Sequence, residues 1–194
     1  MGAASKTFEL DSLIEACQHA LTTDTPQEAI RNIVSDMIQD HHQVRQALGQ
    51  QNVASVEKLY ASETLSIVNF VWAPHMTMPA HNHNMWAVVG VYEGREDHIF
   101  WRRKKDAGEG EIEAAGAASI SSGEVICMNI DAIHSVTNPT NLFTRAIHIY
   151  AGNFFEIERS EWETLSLTEN LFDPEKNRER FESENRKYQA IKGR

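Results

Sequence analysis

Cysteine is nearly missing from this chain of 194 residues: only Cys17 and Cys127 occur, far apart. That pair builds no disulfide framework and no C-x-x-C motif, which fits a reducing cytoplasm. Basic charge is scarce as well. Lys and Arg number 18 against 28 Asp and Glu, a formal charge of −10, which excludes the basic face that a nucleic-acid binder needs. The one basic run, Arg102-Arg103-Lys104-Lys105, is bracketed by Trp101 and Asp106 and reads as a solvated strand end. No apolar run approaches the ~20 residues that cross a bilayer. The opening MGAASKTFEL lacks the apolar core of a secretory signal, and Lys6 stands where myristoylation wants serine. These absences predict a soluble, cytoplasmic protein that binds neither nucleic acid nor membrane.

What remains is an ordinary globular composition, 41% hydrophobic and 24% charged, at a length that suits one domain over residues 1–194. Residues 1–52 read as a helical segment. Phe8, Leu10, Leu13, Ile14, Cys17 and Leu21 recur at helical spacing, with Asp11 or Ser12 near the start. A second helix is predicted from Pro26 to Leu48, with Thr25 as its cap, Pro26 in its first turn and Gly49 at its end.

From about residue 56 to 160 the chain changes to short β-branched and aromatic runs, punctuated by Gly94, Gly108, Gly110, Gly116 and Gly123. Strands are predicted over 64–72, 85–92, 98–103, 111–120, 125–128, 133–137 and 142–151. Strands without intervening helices imply a mainly β sandwich or barrel. Asp173-Pro174 starts a last helix over 173–191, whose sparse apolar positions (Phe181, Tyr188, Ile191) place it on the surface.

The sharpest chemical signal is histidine. His81 and His83 form an H-x-H pair on a predicted strand, and His134 follows on another. Residues two apart on a strand face the same way, so a neighbouring strand can bring a third imidazole to the same point. Neutral imidazole suits zinc, iron, copper and nickel. Surface or core histidines are the plain alternative for the pair taken alone. His75 reads as a turn residue, His41 and His42 as solvated, and His98 as lying on an exposed strand. Trp72, Trp86 and Trp101 read as core or pocket wall, and Cys127 as a small buried hydrophobe.

Two segments carry a resemblance: PAHNHNMWAVVGVYEG, Pro79 to Gly94, and GEVICMNIDAIHSVTN, Gly123 to Asn138. They resemble the paired motifs of the cupin superfamily, whose fold is a double-stranded β-helix, or jelly-roll, barrel. The glutamate that usually follows the second histidine of the first motif is missing, since Ala87 and Val88 hold those places and Glu93 lies too far along. With no carboxylate, the set resembles the three-histidine iron site of the thiol dioxygenases, the cysteine dioxygenase-like and 3-mercaptopropionate dioxygenase-like branch, over roughly 59–159.

That resemblance implies Fe(II) on His81, His83 and His134, with zinc or nickel as alternatives in isolated protein. It also implies an oxidoreductase, a dioxygenase that uses a small thiol substrate and dioxygen. The branch carries a Ser-x-His-x-Tyr relay on a late strand. His148 and Tyr150 match it, so the Tyr150 hydroxyl, oriented by His148, would meet dioxygen or substrate. Ala146 replaces the serine and shortens the relay. A core histidine and a half-buried tyrosine are the bland alternative. No cysteine stands near Val88 to crosslink the tyrosine. Arg159 falls where bacterial relatives hold the substrate carboxylate; its alternative is a surface pair with Glu158 or Glu161. No upstream arginine is assignable in Leu59-Tyr60-Ala61-Ser62. Two rival functions stay open, a zinc cupin with hydrolase or lyase chemistry and a non-catalytic cupin that binds a small anion. Cupins often pair, so a homodimer is allowed, though no seam is fixed by the sequence.

Overall fold

A computed structural model describes residues 8–49, 51–105 and 110–193. The expectations attached to Met1, Gly2, Lys6, Asp106 and Gly108 fall outside those residues. Three helices open the described chain: α1 (Leu10–Ala20), α2 (Pro26–Gln39) and α3 (His41–Leu48). The helix predicted as one piece over 26–48 is therefore two. It breaks at Asp40, whose backbone leaves helical geometry (φ −97, ψ 60) and whose side chain accepts a bond from the Gln43 backbone N–H to cap α3. Thr25 sits at the N-cap of α2 without making a side-chain cap bond.

Eleven strands follow: β1 (Ser55–Ala61), β2 (Ser66–Trp72), β3 (Thr77–Asn82), β4 (Ala87–Glu93), β5 (Arg95–Arg103), β6 (Ile112–Ser121), β7 (Val125–Met128), β8 (Ile133–Thr137), β9 (Thr144–Tyr150), β10 (Ser160–Trp162) and β11 (Glu169–Leu171). Helix α4 (Pro174–Lys192) ends the described chain. The strands form two antiparallel sheets, ordered β1-β2-β9-β4-β7 and β11-β10-β3-β8-β5-β6. Numbering β2 to β9 as one through eight, the central orders are 1-8-3-6 and 2-7-4-5. That is the jelly roll, two interleaved Greek keys, so the fold is the mainly β double-stranded β-helix that the sequence implied.

The first sheet is buried on both faces, which is why β2 and β9 carry no exposed residue. One face, with Val68, Phe70, Ala87, Val89 and Ala146, turns into the barrel. The other, with Ile67, Val88, Ile147 and Ile149, packs beneath Ile30, Val34 and Ile38 of α2. Gly90 permits that approach: a Cβ there would lie 2.4 Å from Val34 Cγ1.

Two expectations about burial are overturned away from the histidine cluster. Cys127 is exposed rather than buried, because it lies on the outward side of β7. Helix α4 is more than a surface helix. Phe181 is buried against Trp72, ring centroids 5.6 Å apart, and Tyr188 meets Phe143 edge-on at 4.8 Å. Asn185 fixes the helix further by bonding both the N–H and the carbonyl of Ala54. Among the described residues no helix is long and apolar enough to cross a membrane.

Candidate metal centre

The register of β3 against β8 sets His81 directly opposite His134. His83 lies one residue beyond the end of β3, not on the strand as predicted, where Asn84 turns the chain with φ 53. All three rings nevertheless converge, with centroids 5.0 Å apart for His81 and His83, 4.6 Å for His81 and His134, and 5.0 Å for His83 and His134. Their candidate ligand nitrogens all fall within 4.8 Å of one another.

Hydrogen bonding selects which nitrogen is free. His81 donates from Nδ1 to the Pro79 carbonyl at 2.9 Å, which leaves Nε2 as its lone-pair atom. The Nδ1 of His134 is engaged with His98, and its Nε2 is buried without a partner. Burial lowers the His81 imidazole to about 4 and holds His83 and His134 well below the ordinary histidine value. All three are neutral at physiological pH, the form that binds metal. The donor set and the unpartnered His134 nitrogen fit a cation.

The rings line a cavity of about 20 Å³, room for roughly one water, together with Tyr150, His148 and Arg159. None of the described residues lining it is acidic. Glu93, the only carboxylate near the expected position in the first motif, is engaged elsewhere by Arg45 and Arg145. Glu161, the cross-strand neighbour of His81, faces Lys176 at 2.6 Å.

Arg159 is not the surface arginine of the plain alternative. It is buried, its guanidinium lies 4.1 Å from the Phe154 ring centroid and 4.0 Å from that of Phe172, and one Nη donates to the Phe154 carbonyl. No carboxylate pairs with it among the described residues. Burial lowers its pKa to about 10, so it stays a cation at neutral pH. Phe154, Arg159, Phe172 and Asn177 form the wall between the small cavity and an outer groove of about 590 Å³ under α4.

Tyr150 is buried with its ring edge-on to His83 at 4.9 Å, and its hydroxyl is 3.0 Å from His148 Nδ1. Burial raises the phenol, so it is protonated. Two residues outside the expected set complete this region. His98, expected on an exposed strand, is buried with its Nδ1 3.0 Å from His134 Nδ1. Glu96, fully buried, lies between His98 (3.2 Å) and His148 (3.5 Å) and accepts a 2.7 Å bond from the Trp72 indole. The available signal was spacing: Glu96 and His98 are two apart, as are His81 and His83. Hydropathy concealed it, because β5 turns Glu96 and His98 inward and exposes the apolar Ile99.

No family model matches the chain. Among solved structures it is similar to an RmlC-like cupin family protein with a double-stranded β-helix fold from Methanocaldococcus jannaschii, at 15% identity over 54% of this chain and 85% of that one, TM-score 0.44. It is similar to a cupin superfamily protein from Desulfitobacterium hafniense, at 11% identity over 54% and 83%, TM-score 0.42. Oxalate decarboxylase from Bacillus subtilis aligns at 15% identity over 49% of this chain and 22% of that one, TM-score 0.39. The strand order and the converging rings establish a jelly-roll barrel with a three-histidine group that could bind a metal ion.

Proposed function

We propose that His81, His83 and His134 hold Fe(II), and that the protein is a thiol dioxygenase-like enzyme. Its substrate is a small thiol carboxylate of the cysteine or 3-mercaptopropionate type, and its product the sulfinate. The observation that carries this reading is a charge imbalance. A neutral ligand set and the buried Arg159 cation face one cavity with no acidic residue in its described lining. A dication there adds positive charge that the single carboxylate of Glu96, behind His148 and outside the lining, offsets only in part, so the site suits a ligand with two anionic ends. A thiolate toward the metal and a carboxylate toward the guanidinium meet both demands.

Iron, when bound, supplies the dioxygen and redox chemistry that side chains lack. The overall reaction, R–SH + O2 giving R–SO2H, balances without a further reductant, since sulfur loses the four electrons that dioxygen gains. Arg159 binds the carboxylate through its planar fork, which stacking between Phe154 and Phe172 holds at a fixed angle. Phe70, Met78 and Val136 exclude water from the reacting end. Tyr150, anchored on His148, positions a hydrogen bond beside the three histidines.

The test is oxygen uptake by iron-loaded protein given cysteine, 3-mercaptopropionate and cysteamine. Uptake of one O2 per thiol, faster for the two carboxylates than for cysteamine, is expected. Absence of uptake with all three removes the assignment. Arg159→Gln should raise KM for the carboxylate thiols at least tenfold and leave cysteamine little changed.

One observation favours a second reading, a non-catalytic binder of a small anion. The inner cavity, about 20 Å³, takes a thiol carboxylate only if the Phe154–Arg159–Phe172 wall shifts. Calorimetry showing tight anion binding by metal-loaded protein, without turnover, would select that reading.

A further inference from the structure

The carboxylate of Glu96 lies beside His98 and His148, the two imidazoles that contact the candidate ligand His134 and Tyr150. It comes from β5 and is fully buried. Trp72 Nε1 donates to its Oε1 at 2.7 Å and fixes the plane of the group. His98 Nε2 lies 3.2 Å from Oε2, and His148 Nε2 lies 3.5 Å from Oε1. Glu96 Oε2, His98 Nε2 and His148 Nε2 are all buried, and none makes a fully formed hydrogen bond among the described residues, which leaves both imidazole nitrogens facing the carboxylate. Burial alone pushes a carboxyl up, but the His148 and His98 imidazoles beside it outweigh burial and hold Glu96 well below the usual range, as an anion.

We propose that Glu96 is a positioning residue that fixes the tautomers of His98 and His148 together. It thereby directs the His134 lone pair to the metal and makes Tyr150 present its oxygen, rather than its proton, to the cavity. The inference rests on the three-histidine metal site but not on the choice of iron or of a thiol.

An ionised carboxylate only accepts, so both Nε2 atoms that face it carry hydrogen. In a neutral imidazole the other nitrogen must then accept. For His98 that nitrogen is Nδ1, 3.0 Å from His134 Nδ1. One member of that pair has to donate, and His98 cannot. His134 is therefore protonated on Nδ1, and its unpartnered Nε2 holds a lone pair before any metal arrives. A carboxylate–histidine–histidine chain thus orients the ligand.

On the other arm, His148 Nδ1 accepts from the Tyr150 hydroxyl at 3.0 Å. The phenol has one proton, and this bond uses it on the side of His148. Toward the cavity Tyr150 offers lone pairs only. A ligand group seated against Tyr150 must bring a hydrogen-bond donor, such as an ammonium or a protonated oxygen, and a purely accepting group is disfavoured there. This narrows the role the resemblance implied, in which the hydroxyl meets dioxygen or substrate: here it does so as an acceptor. It also explains how the chain manages with Ala146 where a serine was expected: Glu96 reaches His148 from a different strand.

Long-range 1H–15N correlation spectra of 15N-histidine-labelled, zinc-loaded full-length protein test the proposal. The wild type should show His98 and His148 as Nε2–H tautomers and His134 as Nδ1–H. In Glu96→Gln only one side-chain atom still accepts, so at least one of His98 and His148 should change tautomer. Zinc affinity by chelator competition should fall about 10- to 100-fold in that variant. Glu96→Asp should restore both tautomers and most of the affinity, a rescue that loss of packing would not give. Three results would overturn the proposal: a doubly protonated His148 in the wild type, an Nδ1–H tautomer at His98, or unchanged tautomers in Glu96→Gln. The wild-type spectrum decides the question even if the variants fold poorly. Because zinc serves as the probe, failure of oxygen uptake would leave this result standing.

Discussion

Arg145 Nη1 meets Glu93 Oε2 at 2.5 Å, and that contact removes from the metal centre the one glutamate of its first motif. Arg145 is buried on β9, Glu93 ends β4, and Arg45 of α3 joins the same carboxylate at 2.7 Å. The pair ties the helical layer to the sheet. Glu93→Gln should leave metal stoichiometry unchanged and cost about 1–3 kcal/mol, because the buried Arg145 guanidinium loses its charged partner and keeps only its bonds to Gln51 and Asn52. Metal content and denaturant unfolding of the same preparation check both halves. Loss of metal without loss of stability would contradict this assignment.

Phe172 should control entry to the inner cavity. It stacks on Arg159 and belongs to the wall between the cavity and the outer groove. Phe172→Ala should enlarge the inner space and speed thiol binding to metal-loaded protein several-fold by stopped-flow. It should also raise KM for carboxylate thiols, since the guanidinium loses one of its two stacking faces. Unaltered binding rates would show that ligands enter by another route.

The metal-free protein should lose stability as pH falls from about 6.5 toward 4. Burial lowers the folded-state pKa of His81 to about 4 and holds His83 and His134 well below the ordinary value. Across that window the unfolded chain takes up protons that the folded chain refuses, so stability rises with pH and falls with acid. The slope is up to about 1.4 kcal/mol per pH unit for each histidine. Thermal melts of chelator-treated protein across that window would reveal it. The loss should shrink in His81→Gln, which removes one such group. A flat profile would mean that the rings are solvated when metal is absent.

Gly90→Ala should destabilise the protein by about 1–3 kcal/mol without changing metal content. The added methyl would sit 2.4 Å from Val34 Cγ1, on the seam between α2 and β4. Val34→Ala in the same chain should recover part of the loss, and a double-mutant cycle by denaturant melts measures the coupling. Strictly additive effects would place the strain elsewhere.

Local order was legible in the sequence where one periodicity ruled. The strands at Val125–Met128 and Ile133–Thr137 have the predicted bounds, and α4 begins at the predicted Asp173-Pro174 signal. The break at Asp40 was not legible, because the apolar stripe runs on through it and only the capping geometry ends α2. The short β10 and β11 lack any pattern of their own and exist because β10 pairs with the edge of β3 and β11 pairs with β10.

The sequence by itself determined a β-rich fold and three imidazoles able to share a cation, since alternation and spacing are properties of the local chain. The tertiary structure decided everything that depends on which strands become neighbours. It buried Arg159 beside the histidines, took Glu93 away, and turned Glu96 and His98 inward on a strand whose hydropathy reads inside out. Ionic and polar partners at long sequence separation leave no periodic trace. They are chosen by strand order and by the cost of burying a polar group without a partner.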